Sequence, residues 1–554
     1  MYDSMSYLDG LHRTMSLTRS EGWLKGVEAA TRHNTVCLPY LFSIPLAWLF
    51  APARWIGTLF QTLWLLIFLF SIDRILVRLQ RRIKGRALAL ASFSALAVTW
   101  FSNGGLGDFR MDLSLMLGYG SAVALLILGI LSAFEQTPEQ TPEQTPDRQS
   151  NRCWQSSWLC LGAVLGGICL VRATAPIYLI LAIAPVLLGM GLVSRRVNNV
   201  RVANQIAWGA IISAGVAALM GAWFYLMNFE YLKYYYLVWN TDANAKLPLN
   251  ESIAHLQMVY RQIGVPAFML GVVVMGIALK QRIAVEQRLI DLKGWMDFGQ
   301  VVNGRKVPIV MWVGLWCSIV PVLMLVIGGA GMNPFVSMPT TSSLFILWAV
   351  LVSAVIDRSA PMTRMLVSIL VVLAISGAFA RGVKKHVWPN DQFMAAHHLA
   401  IESILADTEV DQLKHIRFGS LALTDVHTDS LWSAIQFDRS DFEFRGIEAW
   451  HGEMRFEPSR LFMLPATVDW QNIPGESDLE KRTWLVHQTG SKFDYLILPD
   501  APTAIRIHQL PSSDVINQHL IELRQMLIAH YRLKRVASLT SPTSENYYEL
   551  YRVE

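Results

Sequence analysis

Residues 161–181 read LGAVLGGICLVRATAPIYLIL, and their reading decides the fold. The stretch carries one charge, Arg172, between two apolar arms. Followed outward, the arms become apolar runs over 154–171 and 175–194. A bilayer core of about 30 Å takes roughly 20 apolar residues as a helix. The two runs therefore read either as a closely spaced pair of short membrane helices or as one helix broken at Pro176, where the ring removes an amide donor. Charge at such a place is costly in lipid. It marks a functional group beside a cavity, or a side chain snorkelling to the headgroups.

Eight further runs of the same character lie at about 55–73, 87–102, 112–134, 205–227, 262–280, 308–329, 341–356 and 364–380, which makes ten spans. Composition agrees: 53% of the 554 residues are hydrophobic and 16% charged, against about 25% charged in soluble domains. The chain is mainly α and polytopic. A stretch with two prolines, CLPYLFSIPLAWLF (37–50), is too short to span and reads as a helix at the interface. The first strongly apolar run begins near Cys37 with no basic segment before it, so no cleavable signal peptide is expected.

The loops are sharply asymmetric in charge. One alternate set, 74–86, 135–153, 195–204, 280–306 and 357–364, holds 19 Lys and Arg. The other, 103–111, the turn at Arg172, 228–261 and 330–340, holds 5. Basic loops stay in the cytoplasm, so the first set faces inward, and with ten spans both termini lie outside, as expected of a multi-pass inner (plasma) membrane protein. Residues 1–54 then form an extracytoplasmic segment with juxtamembrane helices, and 55–380 the transmembrane domain. Within that domain 135–153 is a cytoplasmic linker, where EQTPEQTPEQTPD repeats with nothing apolar to bury, and 228–261 is an extracytoplasmic loop. From 384 to 554 the chain is polar. Helical patterns at 391–407 and 513–531 alternate with strand-like runs at 416–424, 493–499, 533–539 and 547–553. This reads as a small extracytoplasmic α/β domain.

Several residues carry alternative readings. Asp108, Arg110 and Asp112 lie in GDFRMDLSL (107–115), at the outer end of a helix pair. The two acids are spaced i, i+4 and share a helix face. Asp112 serves equally as a helix N-terminal acid favoured by the dipole, and Arg110 as its ion-pair partner. Tyr231, Tyr234, Tyr235, Tyr236 and Trp239 suit an interfacial belt better than sugar stacking. Asn250-Glu-Ser252 is a weak glycosylation match. His397 and His398 stand without a further ligand at helical spacing. The five cysteines, Cys37, Cys153, Cys160, Cys169 and Cys317, show no metal or redox spacing and read as packing residues. No phosphate-cradling glycine loop, nucleophile elbow or nucleic-acid pattern occurs, so nucleic acid is not an expected partner.

The order and sidedness of these pieces resemble the lipid-linked-sugar glycosyltransferases of the C-type (GT-C) fold, among them the protein O-mannosyltransferases and the aminoarabinose transferases. The matching pieces are Asp3 followed four residues later by Tyr7, the Pro- and Tyr-containing stretch 37–50, the inward span from Trp55 and the basic turn RLQRRIKGR. They continue with GDFRMDLSL, with the glycine-rich span ending in Arg172 and Pro176, and with FDYLILP, HYRLKRVASL and YYELYRV near the end of the chain. The sequence as given shows no counterpart of the family's first span ahead of Asp3, which reads either as a start set too late or as a chain without that span, and Ser4 stands where the family often has Glu.

The resemblance implies a GT-C-like fold of about ten transmembrane helices and a glycosyltransferase using a polyprenyl-phosphate-linked sugar. Its acceptor would be a lipid, a glycan or a protein. Asp3 would be the catalytic base, with Arg172 and Arg110 on the donor phosphate. Asp108 and Asp112 would be second acids or would hold a divalent metal ion, although family members space that acidic pair i, i+2. A single base opposite a phosphate leaving group fits an inverting reaction. Two rival readings stand beside it: a transporter or flippase of a lipid-linked saccharide, which needs no base, and a non-catalytic relative.

Overall fold

The structure, a computed structural model, describes residues 2–32, 34–52, 54–99, 111–135, 148–196, 199–233, 306–328, 338–358, 361–382, 391–408, 416–420, 442–444, 494–499, 531–540 and 547–554, with short pieces between 474 and 529. Three helices open the chain: α1 (Tyr2–Glu21), α2 (Trp23–Thr31) and α3 (Leu38–Ala47). Leu8, Leu11 and Met15 form a buried stripe on α1, at the helical spacing that one face requires. Gly22 turns the chain between α1 and α2 with φ of +93°, a conformation glycine adopts without steric cost. The Arg19 Nε then donates to the Ala47 carbonyl at 2.7 Å, tying the end of α1 to the end of α3.

The bundle that follows comprises α4 (Arg54–Arg78), α5 (Ile83–Thr99), α6 (Met111–Glu135), α7 (Arg148–Val171), α8 (Ala175–Arg196), α9 (Val200–Met227), the short α10 (Phe229–Lys233), α11 (Lys306–Gly328), α12 (Pro339–Arg358) and α13 (Pro361–Gly382). Nine of the ten expected spans coincide with these helices, and the run at 262–280 lies outside the described residues. Among the described residues six helices are long and apolar enough to cross a membrane: α4, α6, α8, α9, α11 and α12. The other three expected spans fall on α5, α7 and α13, whose apolar stretches are shorter.

At the centre stands α6. Of its 25 residues only Leu125, Phe134 and Glu135 escape burial. Small residues let its neighbours approach. A Cβ on Gly118 would meet Ile168 of α7 at 2.7 Å, and one on Gly120 would meet Phe68 of α4 at 2.4 Å and Ser342 of α12 at 2.6 Å. The Tyr119 hydroxyl donates to the Cys317 carbonyl of α11 at 2.7 Å. In lipid, where apolar burial drives nothing, such close backbone approach and interhelical hydrogen bonds hold a bundle together. The same device joins α7 to α9, where Gly162 and Gly166 lie against Ser213, Val216, Ala217 and Met220. The opposite face of α9 leaves Trp208, Ile211, Leu219 and Leu226 exposed, as a lipid-facing side would be.

The two ends of the bundle differ. At one end Glu135 pairs with Arg78 and, at 2.7 Å, with Lys306. Arg86 grips Asp73 through two bonds of 2.8 and 3.1 Å, and the Arg82 amide donates to Asp357 at 2.8 Å. The ends of α4, α6 and α12 and the starts of α5 and α11, which border basic loops, therefore gather on one side. The start of α6 and the ends of α2, α7 and α9 lie at the other.

Beyond the bundle, α14 (Asp391–Asp407) packs on a five-stranded sheet of β1 (Ile416–Ser420), β2 (Phe442–Phe444), β3 (Tyr495–Pro499), β4 (Leu533–Thr540) and β5 (Tyr547–Val553), ordered β2-β1-β3-β5-β4. β1 runs parallel to β2 and β3, whereas β5 is antiparallel to β3 and β4. Ala400, Ile401 and Ile404 of the helix meet Ile416, Tyr495, Ile497, Leu539 and Leu550 of the sheet in one core. All four strands expected from sequence are present in part or whole. β2, three residues long, had no periodicity to reveal it.

Candidate active site

The first turn of α6 places Asp112 at the end of the bundle away from the basic loops. The turn after α7 places Arg172 at the same end. The two meet: Arg172 Nη1 donates to Asp112 Oδ1 at 2.5 Å. An acid is favoured at a helix N-terminus and a base at a C-terminus, so each residue suits its own helix before it suits the other. The Asp112 side chain is 6% exposed and that of Arg172 30%. The carboxylate is thus sealed, while the arginine side chain stays partly exposed. A guanidinium carries five N–H donors in a planar fork. Such a fork can meet a carboxylate and a phosphate at once.

The turn carrying Arg172 is held from two sides. α7 closes with the Arg172 amide on the Ile168 carbonyl at 3.0 Å. The Ala173 amide then leaves the helical pattern and donates to Thr35 O at 3.2 Å, while the Cys37 amide donates to Leu170 O at 2.8 Å. The segment between α2 and α3 therefore lies along the end of α7 like a short strand. From α9, the Tyr225 hydroxyl reaches Cys169 O at 2.9 Å and Ala173 O at 3.2 Å. Asn228, at the end of α9 and 3% exposed, donates from Nδ2 to Thr31 O at 2.7 Å. The sequence 161–181 thus folds as a pair of helices separated by Arg172–Thr174, with α8 starting at Ala175 and Pro176 in its first turn, where proline costs no hydrogen bond.

Other expected site residues are placed less fully. Asp3 lies in the first turn of α1, one turn before Tyr7 on the same helix, and its side chain lies outside the described residues. Asp108 and Arg110 also lie outside them, as do the aromatic residues 234–239, the sequon at 250–252 and the side chains of His397 and His398. The sequence suggested Arg110 as the partner of the acids; among the described residues it is Arg172 that pairs with Asp112. No group of three or more His, Cys, Asp or Glu that could hold a metal occurs among the described residues. Tyr225 and Asn228 went unnoticed in the sequence, since an aromatic near the end of an apolar run looks like any interfacial residue.

No family model matches the chain, and no curated protein matches it. Among solved structures, the crystal structure of ArnT from Cupriavidus metallidurans in the apo state is similar, with a TM-score of 0.56 at 13% identity over 98% of this chain and 92% of that one. ArnT from the same organism bound to undecaprenyl phosphate gives a TM-score of 0.40 at 14% identity, over 94% of this chain and 72% of that one. The first likeness is one of fold: a GT-C-like helical membrane architecture with a small sheet toward the C-terminus.

Proposed function

We propose that this chain is a membrane glycosyltransferase that moves a sugar from a polyprenyl-phosphate donor to a lipid, glycan or protein acceptor on the extracytoplasmic face. The observation that carries the reading is the partly exposed Arg172 side chain, paired with a sealed Asp112 at the end of the bundle away from the basic loops. It sits within a fold similar to that of ArnT. The charge asymmetry of the loops supports the extracytoplasmic side.

A lipid-borne donor keeps its phosphate where membrane meets water, at the depth of a span's end. During transfer the bond between the anomeric carbon and the phosphate oxygen breaks, and the acceptor oxygen or nitrogen forms a new bond to that carbon. Negative charge grows on the leaving phosphate, and a preorganised cation there stabilises it more than it stabilises the ground state. Arg172 takes that role, with Arg110 as a second cation. The acceptor's proton goes to a carboxylate acting as general base, which in this reading is Asp3. Asp112 orients Arg172 and keeps its charge in place, and no step is routed through a metal. The sheet domain contributes to the acceptor side.

Reconstitution of the full chain with a radiolabelled polyprenyl-phosphate sugar tests the reading. Label should pass to an acceptor in the parent protein, fall at least about a hundredfold in Asp3→Asn, and be lost in Arg172→Ala. Donor binding and movement across the bilayer without transfer, unaffected by Asp3→Asn, would instead identify a transporter.

A further inference from the structure

We propose that Tyr225 is a positioning residue for the donor phosphate, acting through the turn that carries Arg172. The proposal rests on the reading of Arg172 given above. A helix leaves its last carbonyls without amide partners, and a glycine cap often supplies them. α7 has no glycine at its end: the residues there are Val171, Arg172, Ala173 and Thr174. In a continuing helix the Cys169 carbonyl would receive the Ala173 amide, but that amide is spent on Thr35. The Leu170 carbonyl is likewise served by Cys37 from outside the helix. Cys169 O is therefore left to Tyr225, whose single hydroxyl also lies within bonding distance of Ala173 O. One hydroxyl on α9 thus spans the break, touching the carbonyl three residues before Arg172 and the one immediately after it.

Tyr225 itself is fixed. Its ring lies edge-on to the buried Phe224 at 5.6 Å, and the bond from Asn228 to Thr31 holds the next turn of α9 to the end of α2. Backbone on both sides of Arg172 is pinned by elements that α7 does not itself supply. Without the hydroxyl, the two carbonyls lose their donor, and the turn gains freedom that the guanidinium must surrender on meeting phosphate. The expected cost falls on affinity for the charged headgroup, and contacts to the polyprenyl tail are untouched.

The test uses the purified full chain in lipid nanodiscs, with decaprenyl phosphate and the uncharged decaprenol as probes. Tyr225→Phe should weaken binding of the phosphate about tenfold and leave the alcohol unchanged. In an Arg172→Gln background the same substitution should produce no further loss. Equal losses for both lipids, or a loss that persists without Arg172, would reveal a merely structural tyrosine and overturn the proposal. If Arg172→Gln weakens binding and Tyr225→Phe does not, this inference alone fails. If Arg172→Gln binds as the parent does, the reading of Arg172 fails and this inference goes with it. Should Tyr225→Phe not fold, Ala173→Gly decides: it keeps the hydroxyl but slackens the same turn. Selective weakening of phosphate binding is then the expected result, and unchanged binding the refutation.

Discussion

Arg172 and Asp112 owe their stability to each other, and each removal has a sign that can be predicted. Arg172→Ala leaves a carboxylate sealed from water without its counter-charge, which costs about 1.5–3 kcal/mol. Thermal unfolding in detergent should show that loss, and Arg172→Ala combined with Asp112→Asn should recover part of it, because the second change removes the stranded charge. His12 gives a second check at this scale. Burial holds its imidazole below the ordinary value of 6.5, so the unfolded chain takes up a proton first as the medium is acidified. Its contribution is absent above that value, and stability falls as pH drops through 6.5 towards the lowered value. The thermal midpoint should decline between about pH 7.5 and 5.5, with a shallower slope in His12→Gln. How legible these residues were depended on contrast. A lone arginine within an apolar stretch stands out. Its partner lies 60 residues away, and no local pattern encodes such a meeting. Tyr225 was hidden because its function is to serve backbone carbonyls, which are the same in every sequence.

Between elements, glycine governs how close two helices come. At Gly166 an added Cβ would fall 2.7 Å from that of Met220, so Gly166→Leu must push α9 away from α7. A loss of about 1–3 kcal/mol follows from overpacking. It should be visible as a lower unfolding midpoint, and as weaker donor binding where Cys169 and Tyr225 are drawn apart. Gly209, whose Cβ would lie 2.2 Å from the Trp158 ring, makes the same demand about two to three turns further along the pair. Helices were the most readable level of this chain, since a run of twenty apolar residues has few other outcomes. Helix neighbours were not readable in that way. The run at 112–134 is apolar on every side, and nothing in it separates a helix facing lipid from one enclosed by protein. The glycines and serines spread through it were the available signal. In the sheet, the β-branched and aromatic runs of β1, β3, β4 and β5 announced themselves, while β2 joins the sheet's edge with the three residues Phe442–Phe444.

For the molecule as a whole, the prediction concerns sides. Lys25 is exposed on α2 and Arg82 is exposed in the basic turn after α4. In a background with the native cysteines replaced by serine, Lys25→Cys should react with a membrane-impermeant maleimide on intact spheroplasts. Arg82→Cys should react only after lysis. The reverse pattern would place the Asp112–Arg172 end in the cytoplasm and remove the proposed donor site from the extracytoplasmic leaflet.

The enclosure of α6 has a consequence for how the protein comes into being. Two of the helices that wrap it, α11 and α12, begin at Lys306 and Pro339, so they leave the ribosome long after α6 has entered the bilayer. Until then the Tyr119 hydroxyl lacks the Cys317 carbonyl, and the groove at Gly120 lacks Ser342. A nascent chain halted before Lys306 would show lipid, chaperone or quality-control protease a notched, hydroxyl-bearing helix surface that the finished protein hides. Biogenesis is therefore complete only when the later helices arrive to cover the earlier one, and premature termination there should mark the product for degradation.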